Sequence, residues 1–192
     1  MKNLYLYRKA LVIVDMINGF VREGNMHDYR IARTIPRQLE LIKEYQEIEG
    51  LILFVKDAHT KDSTEVAQLG EHALIGTSEQ EVIEELRDYE KADHTLSILK
   101  NSTSFMEAPK MREVLRKATN LREVDIVGCC TDICVCNGAI GMANYFDQQN
   151  RPLTIRVHQD AVATYNEEKR KNYVDAAYLL MERQGIQLVK KI

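Results

Sequence analysis

The sequence contains no tryptophan, little proline and no long apolar run. Its 192 residues include 3 Pro and 9 Gly. Because no Pro-, Gly- or Ser-rich linker interrupts the chain, we expect one domain spanning residues 1–192. No segment approaches the roughly 18 apolar residues of a membrane span, and the first residues lack the apolar core of a secretion signal. We therefore expect a cytoplasmic protein without a membrane partner.

Positive charge is not in excess either. The chain carries 26 Lys+Arg against 29 Asp+Glu, for a net charge of −3, and no basic block stands out. A nucleic-acid partner is therefore not expected. With 45% hydrophobic and 29% charged residues, the composition is that of a globular protein whose core needs no disulfide or metal to hold it together.

The four cysteines are confined to eight consecutive positions: Cys129, Cys130, Cys134 and Cys136. Cysteines this close together rarely cross-link a fold, and their spacing misses the paired C-x2-C pattern of a structural zinc site. The simpler interpretation is a reducing compartment and one chemically special cysteine.

Short β-branched runs alternate with longer amphipathic stretches along the whole chain. This alternation predicts an α/β fold, a three-layer sandwich in which a mostly parallel sheet carries helices on both faces. The predicted strands are Leu11–Val14, Leu51–Val55, Thr95–Leu99, Val124–Val127, Leu153–Val157 and Ile186–Val189. The predicted helices are Ile31–Glu49, Glu79–Tyr89, Met111–Thr119, Ile133–Gln148 and Glu167–Gln184, and Lys56–Thr77 is a long loop without a clear period.

Reactive side chains follow several of the predicted strands. Asp15 comes directly after the first, Asp57 and His59 follow the second, Lys100 follows the third, and Cys134 lies in the turn after the fourth. In open α/β sheets, sites form beyond the carboxyl ends of the strands. We therefore expect an acid, a lysine and a thiol to meet at one edge of the sheet.

The surroundings predicted for Cys134 favour acyl transfer. Thr131 or Asp132 can cap the helix that begins here, and a helix N-terminus with a lysine nearby should make the thiol ionise more easily. Free amides at such a turn suit the oxyanion of a tetrahedral intermediate. Asp15 could then take the thiol proton and pass it to a leaving amine, while Lys100 stabilises the charge.

Asp57 and His59 are two residues apart, so both side chains could reach one ion. Glu65 and His72 lie on the following loop, and this donor set suits zinc, iron or manganese. The alternative interpretation is that these are solvated loop residues.

Three segments carry a resemblance to a known family: VIVDMINGF at residues 12–20, KDAH at 56–59 with GEH and LIGT at 70–77, and VGCCTDICV at 127–135. With them the chain resembles the isochorismatase-like cysteine hydrolases from Ala10 to about Thr164. It looks most like a nicotinamidase. The last segment is the most specific, because it is similar to the family's G-x-x-T-D-x-C-V turn around the nucleophile.

The resemblance implies a catalytic triad of Asp15, Lys100 and Cys134, a cis peptide between Cys129 and Cys130, and an oxyanion hole formed by the amides of Cys130 and Cys134. It further implies a divalent metal that orients a pyridine ring, a homo-oligomer, and hydrolysis of nicotinamide to nicotinate and ammonia through a thioester. The implied metal ligands are Asp57, His59 and His72, with Glu65 as an additional acidic ligand. Phe20 is the implied ring contact.

Two other functions stay open. One is a metal-free amidase of the same superfamily, acting on an N-carbamoyl compound or another small amide. The other is a non-catalytic α/β module that binds a partner or small ligand, in which the polar residues only cap and solubilise. Isochorismate hydrolysis is disfavoured, because family members with that activity typically lack the cysteine nucleophile.

Overall fold

The computed structural model describes residues 3–191, whose six strands form one sheet in the order β3-β2-β1-β4-β5-β6. Every neighbouring pair is parallel, which confirms the predicted parallel sheet. The strands are β1 (Lys9–Val14), β2 (Leu51–Asp57), β3 (Thr95–Lys100), β4 (Glu123–Cys129), β5 (Thr154–Ala163) and β6 (Gln187–Val189).

Within the part of the chain that the structure describes, seven α-helices connect or follow these strands. They are α1 (Asn18–Val21), α2 (Ile35–Glu47), α3 (Thr64–Leu69), α4 (Glu84–Glu90), α5 (Pro109–Lys117), α6 (Cys136–Gln148) and α7 (Glu167–Arg183). Among residues 3–191, no helix combines the length and apolar character that a membrane crossing requires.

Alternate residues of β1 enter two different cores. Ala10, Val12 and Val14 pack on one face of the sheet with apolar residues of α5, α6 and α7. Leu11 and Ile13 pack on the other face with residues of α2 and α4. Because successive side chains of a strand point to opposite faces, a central strand covered on both sides reads as one continuous apolar run. The three-layer sandwich is thus confirmed.

The structure corrects several predicted boundaries. The predicted helix Ile31–Glu49 begins as 3-10 turns at Tyr29–Thr34, and only then continues as α2. The predicted helix Glu79–Tyr89 is likewise a 3-10 turn, Ser78–Gln80, followed by an extended link and α4. The segment predicted as a loop contains α3, whose six residues are too few to show a helical period.

The strand order places one crevice at the centre of the sheet. From β1 the chain runs outward to β2 and β3, and then returns to add β4 on the other side of β1. Ligands of open α/β sheets bind at such a reversal point, beyond the carboxyl ends of the strands. Asp15 follows β1, and Asp57 is paired in register with Lys100 on the adjoining strands. The fold thus brings these side chains to the same edge.

Candidate active site

Asp15, Lys100 and Cys134 meet at this crevice. The Nζ atom of Lys100 lies 2.9 Å from Oδ2 of Asp15 and 3.5 Å from Sγ of Cys134. All three residues are buried, with 0%, 2% and 6% of their surfaces exposed. The structure therefore brings the predicted acid, ammonium and thiol within mutual reach, with the lysine between the other two.

The backbone around Asp15 fixes its carboxylate. Asp15 has a positive φ of 51°, which only a few per cent of non-glycine residues adopt and which is enriched at Asp and Asn. Its amide donates to the carbonyl of Val55, and its Oδ1 accepts a hydrogen bond from the amide of Asp57 at 2.9 Å. Oδ2 is thereby left to face Lys100.

Cys134 lies on a short π-helical turn, Thr131–Val135, between β4 and α6. The peptide bond between Cys129 and Cys130 is cis, as the resemblance implied. The predicted capping role of Thr131 or Asp132 is wrong, because neither side chain caps this turn. Instead, the Asp132 carboxylate accepts hydrogen bonds from Thr164 and Arg170, both of which lie later in the chain.

Burial dominates the protonation of the site. Burial, together with the negative charge of Asp57, raises the pKa of Asp15 to about 7. It also raises the pKa of the Cys134 thiol well above its ordinary value, against the effect of Lys100. Burial thus acts against the expected easy ionisation of this thiol and favours the protonated sulfur, so that nucleophilic attack would need a base. An acid that titrates near neutrality is well matched to that task.

Lys100 stays cationic in spite of its burial. Burial alone would lower the pKa of this amine, but the carboxylates of Asp15 and Asp57 hold it well above its usual value. In turn, Lys100 lowers the pKa of Asp57, although burial acts in the opposite direction. The ammonium therefore bridges two carboxylates, at 2.9 Å from Asp15 and 2.5 Å from Asp57.

The four predicted metal ligands cluster next to this triad. One donor atom from each of Asp57, His59, Glu65 and His72 can be chosen so that all lie within 4.8 Å of one another. The two imidazole rings are 4.6 Å apart between centroids. Burial alone would lower the pKa of His59, but the Asp57 carboxylate raises it, and the same negative charge attracts a metal cation.

The hydrogen bonds of His59 and His72 leave one nitrogen of each ring available for a metal ion. Nδ1 of His59 is 2.7 Å from Oδ1 of Asn101, and Nδ1 of His72 is 2.8 Å from the carbonyl of Gly70. Both acceptors require a proton on Nδ1, so Nε2 is the nitrogen that carries the free lone pair when each ring is neutral. Both Nε2 atoms are buried and have no hydrogen-bond partner within residues 3–191, which is the arrangement expected of ligands.

Phe20 lies beside the candidate metal centre. It is 4% exposed on α1, and its ring centroid is 6.0 Å from that of His72. A cleft of about 450 Å³ reaches Lys100, Ala58 and Asn101 from the edge of the sheet. The predicted ring contact is thus close to the cluster, and its role stays a prediction.

Sequence reasoning missed two residues that support the site, Asn101 and Arg170, and gave a third, Asp132, a different role. Asn101 contacts His59, while Asp132 and Arg170 form an ion pair that joins the turn carrying Cys134 to α7. Asn101 directly follows Lys100, and Asp132 lies within the recognised cysteine motif, so proximity to a motif was the one available signal. Arg170 carried none, because its partner is 38 residues away.

The structure is therefore an α/β domain in which carboxylate, lysine, thiol and histidine side chains cluster at the carboxyl ends of the parallel strands. The sequence model that describes the isochorismatase domain family matches residues 9–185 of this chain. The chain therefore belongs to the isochorismatase family, and it resembles the nicotinamidases among its members.

Individual relatives agree with this assignment. The chain is 29% identical to nicotinamidase 1 of Arabidopsis thaliana over 138 residues, which cover 66% of this chain and 56% of that protein. The crystal structure of nicotinamidase PncA from Bacillus subtilis superposes with a TM-score of 0.79 at 26% identity, covering 95% of this chain and 99% of the other. N-carbamoylsarcosine amidase from Thermoplasma acidophilum gives 0.76 at 26% identity, covering 96% and 98%.

Proposed function

We propose that the protein is a metal-containing amidase that hydrolyses nicotinamide to nicotinate and ammonia through a thioester on Cys134. The observation that carries the proposal is the contact of one buried ammonium, that of Lys100, with both Asp15 and Cys134. The likeness to two nicotinamidases supports the choice of substrate.

Acylation begins at the protonated thiol. Asp15 takes the proton from Cys134 as Sγ attacks the carboxamide carbon, and Lys100 stabilises the negative charge that passes from carboxylate to sulfur. The amides of Cys130 and Cys134 are the proposed donors to the oxyanion. Asp15 then returns the proton to the departing nitrogen, so that ammonia leaves and the acyl group stays on sulfur.

Deacylation uses the same groups in reverse. Asp15 removes a proton from a water molecule, the resulting hydroxide adds to the thioester carbon, and the sulfur departs as a thiolate that regains its proton from Asp15. One water is consumed, and nicotinate is released. Burial of the carboxylate keeps its pKa about 7, which allows it to accept and return a proton in each half-reaction.

Asp57, His59, Glu65 and His72 are the residues that would hold the metal, and zinc, iron or manganese suits their nitrogen and oxygen donors. When bound, such an ion supplies a Lewis-acidic contact for the pyridine nitrogen and so fixes the ring. Phe20, beside His72, is the proposed apolar contact for the same ring.

The second candidate is an amidase acting on an N-carbamoyl compound. The structural likeness to N-carbamoylsarcosine amidase favours it, as does the lack of any Trp to stack on a pyridine ring. It would use the same triad without an ion. Removal of metal by a chelator therefore separates the two candidates, because only the nicotinamidase should lose activity and regain it when zinc, iron or manganese is restored.

The experiment that tests the proposal measures ammonia release from nicotinamide, pyrazinamide and N-carbamoylsarcosine. Cys134→Ala should abolish release, because no thioester can form. Cys136→Ala is the matched control: that cysteine is also buried, but its Sγ faces the carbonyl of Ala177 on α7, and activity should persist. An active Cys134→Ala protein would refute the nucleophile, and release from N-carbamoylsarcosine alone would favour the second candidate.

Three statements stay predictions: that the protein is cytoplasmic, that one domain spans residues 1–192, and that the chain forms a homo-oligomer. The proposed thiol chemistry requires a reducing environment, which agrees with the first. Light scattering coupled to size-exclusion chromatography tests the last, since a homo-oligomer gives a whole multiple of the 22.2 kDa chain mass.

A further inference from the structure

Asn101 connects the triad to the candidate metal centre. It is the residue after Lys100, the last residue of β3, and it is solvent-exposed. Its Oδ1 nevertheless accepts hydrogen bonds from two buried groups, Nδ1 of His59 at 2.7 Å and the Ser63 hydroxyl at 2.8 Å. An exposed side chain whose oxygen is occupied by two buried partners does more than solubilise the surface.

The bond to His59 sets the state of that ring. An amide oxygen can only accept, so Nδ1 must carry a proton, and in the neutral ring Nε2 then carries the lone pair. That Nε2 atom is buried without a hydrogen-bond partner in the described part of the chain, and it belongs to the four-residue ligand cluster. Asn101 therefore holds His59 in the tautomer and orientation that bind a metal.

The bond to Ser63 extends this effect to a second ligand. Ser63 directly precedes α3, and its hydroxyl also accepts from the amide of Thr60. Glu65 lies in the first turn of that helix. One amide oxygen thus fixes both the ring of His59 and the start of the helix that presents Glu65.

His72 provides an internal contrast. Its Nδ1 is oriented by the carbonyl of Gly70, a backbone atom of its own loop that a side-chain substitution does not remove. His59 instead depends on the side chain of Asn101, which is distant in the chain and directly follows β3. A single substitution of Asn101 can therefore remove the contact that orients His59, whereas the contact that orients His72 would stay.

We propose that Asn101 is the positioning residue of the metal centre, and that it presents Nε2 of His59 and the α3 carboxylate of Glu65 to a divalent transition metal. This inference rests on the metal site of the proposed function and deepens it. Partners of this kind, which orient metal-binding imidazoles, typically contribute a factor of about 10–100 in metal affinity.

The test measures the Zn²⁺ dissociation constant of the full chain by competition with a chromophoric chelator. Asn101→Ala should weaken Zn²⁺ binding by about 10–100-fold, whereas Asn101→Asp, which keeps an oxygen acceptor, should restore most of the affinity. Asn144→Ala is the matched control, since Asn144 is another exposed asparagine whose Oδ1 accepts a side-chain bond, from Gln184. Its Zn²⁺ affinity should equal that of the wild type.

A second readout follows the imidazole directly. Long-range ¹H–¹⁵N spectra of the chelator-treated protein, recorded at a pH high enough for the ring to be neutral, should show one tautomer of His59, with the proton on Nδ1, and Asn101→Ala should convert it to a mixture. The melting temperature of the metal-free Asn101→Ala protein should fall by a few degrees, because the buried donors of His59 and Ser63 lose their acceptor, while circular dichroism should show that the fold is kept. An unchanged Zn²⁺ constant in Asn101→Ala overturns this inference alone. A wild-type protein that binds no Zn²⁺ overturns the metal site and this inference together.

Discussion

Gly128 shows how one residue determines whether the site can form. It lies on β4 opposite Val14, the last residue of β1, and its backbone has a φ of +112°. A Cβ atom at this position would lie 2.1 Å from the carbonyl oxygen of Val14. Only glycine lets β4 approach β1 this closely, just before the turn that carries Cys134 and beside the strand that Asp15 directly follows.

We therefore expect Gly128→Ala to lower the free energy of unfolding by about 3 kcal/mol, because the added methyl group meets rigid backbone. Gly185→Ala is the control, since Gly185 also has a positive φ, of +81°, but nothing within 4 Å of the added Cβ. It should cost only about 1–2 kcal/mol of backbone strain. Urea unfolding of both variants gives the comparison, and equal losses would show that the close approach is not the reason for glycine.

At the scale of elements, α7 holds the turn that carries Cys134 in place. The Asp132 carboxylate is 1% exposed and pairs with Arg170, whose guanidinium lies over the rings of Tyr165 and Tyr173 at 4.6 and 5.2 Å from their centroids. Thr164 donates to the other carboxylate oxygen at 2.6 Å. The turn between β4 and α6 is thus fixed by the chain that follows β5, not by its own caps.

Arg170→Met should leave the Asp132 carboxylate buried without its cation, and we expect a loss of about 3 kcal/mol in unfolding free energy. The rate of acylation should fall as well, because the turn carries Cys134. Arg33→Met is the control: Arg33 pairs with Glu167 in a contact exposed by 48% and 43%, and it should cost less than about 1 kcal/mol. Chemical denaturation and single-turnover kinetics measure the two effects. Equal losses in the two variants would show that the Asp132–Arg170 pair does not hold the turn that carries Cys134.

The elements that the sequence could predict are those with a local signal. The strands and the longer helices follow from runs and periods within one segment, and Asp15, Lys100 and Cys134 follow from their position at strand ends. The π-helical turn, the protonated thiol and the Asn101 contact could not be predicted, because each depends on neighbours distant in the chain. The acidic surroundings of Cys134, for example, arise only once β1, β2 and β3 are adjacent.

On the scale of the whole molecule, a buried ionic cluster joins the sheet to the helix layer on one face. Asp125 of β4 accepts hydrogen bonds from Arg156 and His158 of β5 and from Tyr45 of α2. Asp125 is 5% exposed, and its three partners hold its pKa well below the usual range although burial acts in the opposite direction. The cluster therefore stabilises the packing of α2 on the sheet only while this carboxylate is ionised.

The consequence is a specific loss of stability in acid. Because the folded pKa of Asp125 is depressed, its contribution is complete above the unfolded value of about 3.9 and is lost as the pH falls below it. Unfolding free energies measured from pH 6 down to pH 2 should therefore decline below about pH 4. Asp125→Asn should be less stable at pH 6 and should show a shallower decline, since it has no proton to gain.

The control is Asp175→Asn, in which the carboxylate lost belongs to an exposed pair with Lys171, and its acid decline should match that of the wild type. An equally steep decline in Asp125→Asn would show that other carboxylates govern acid unfolding.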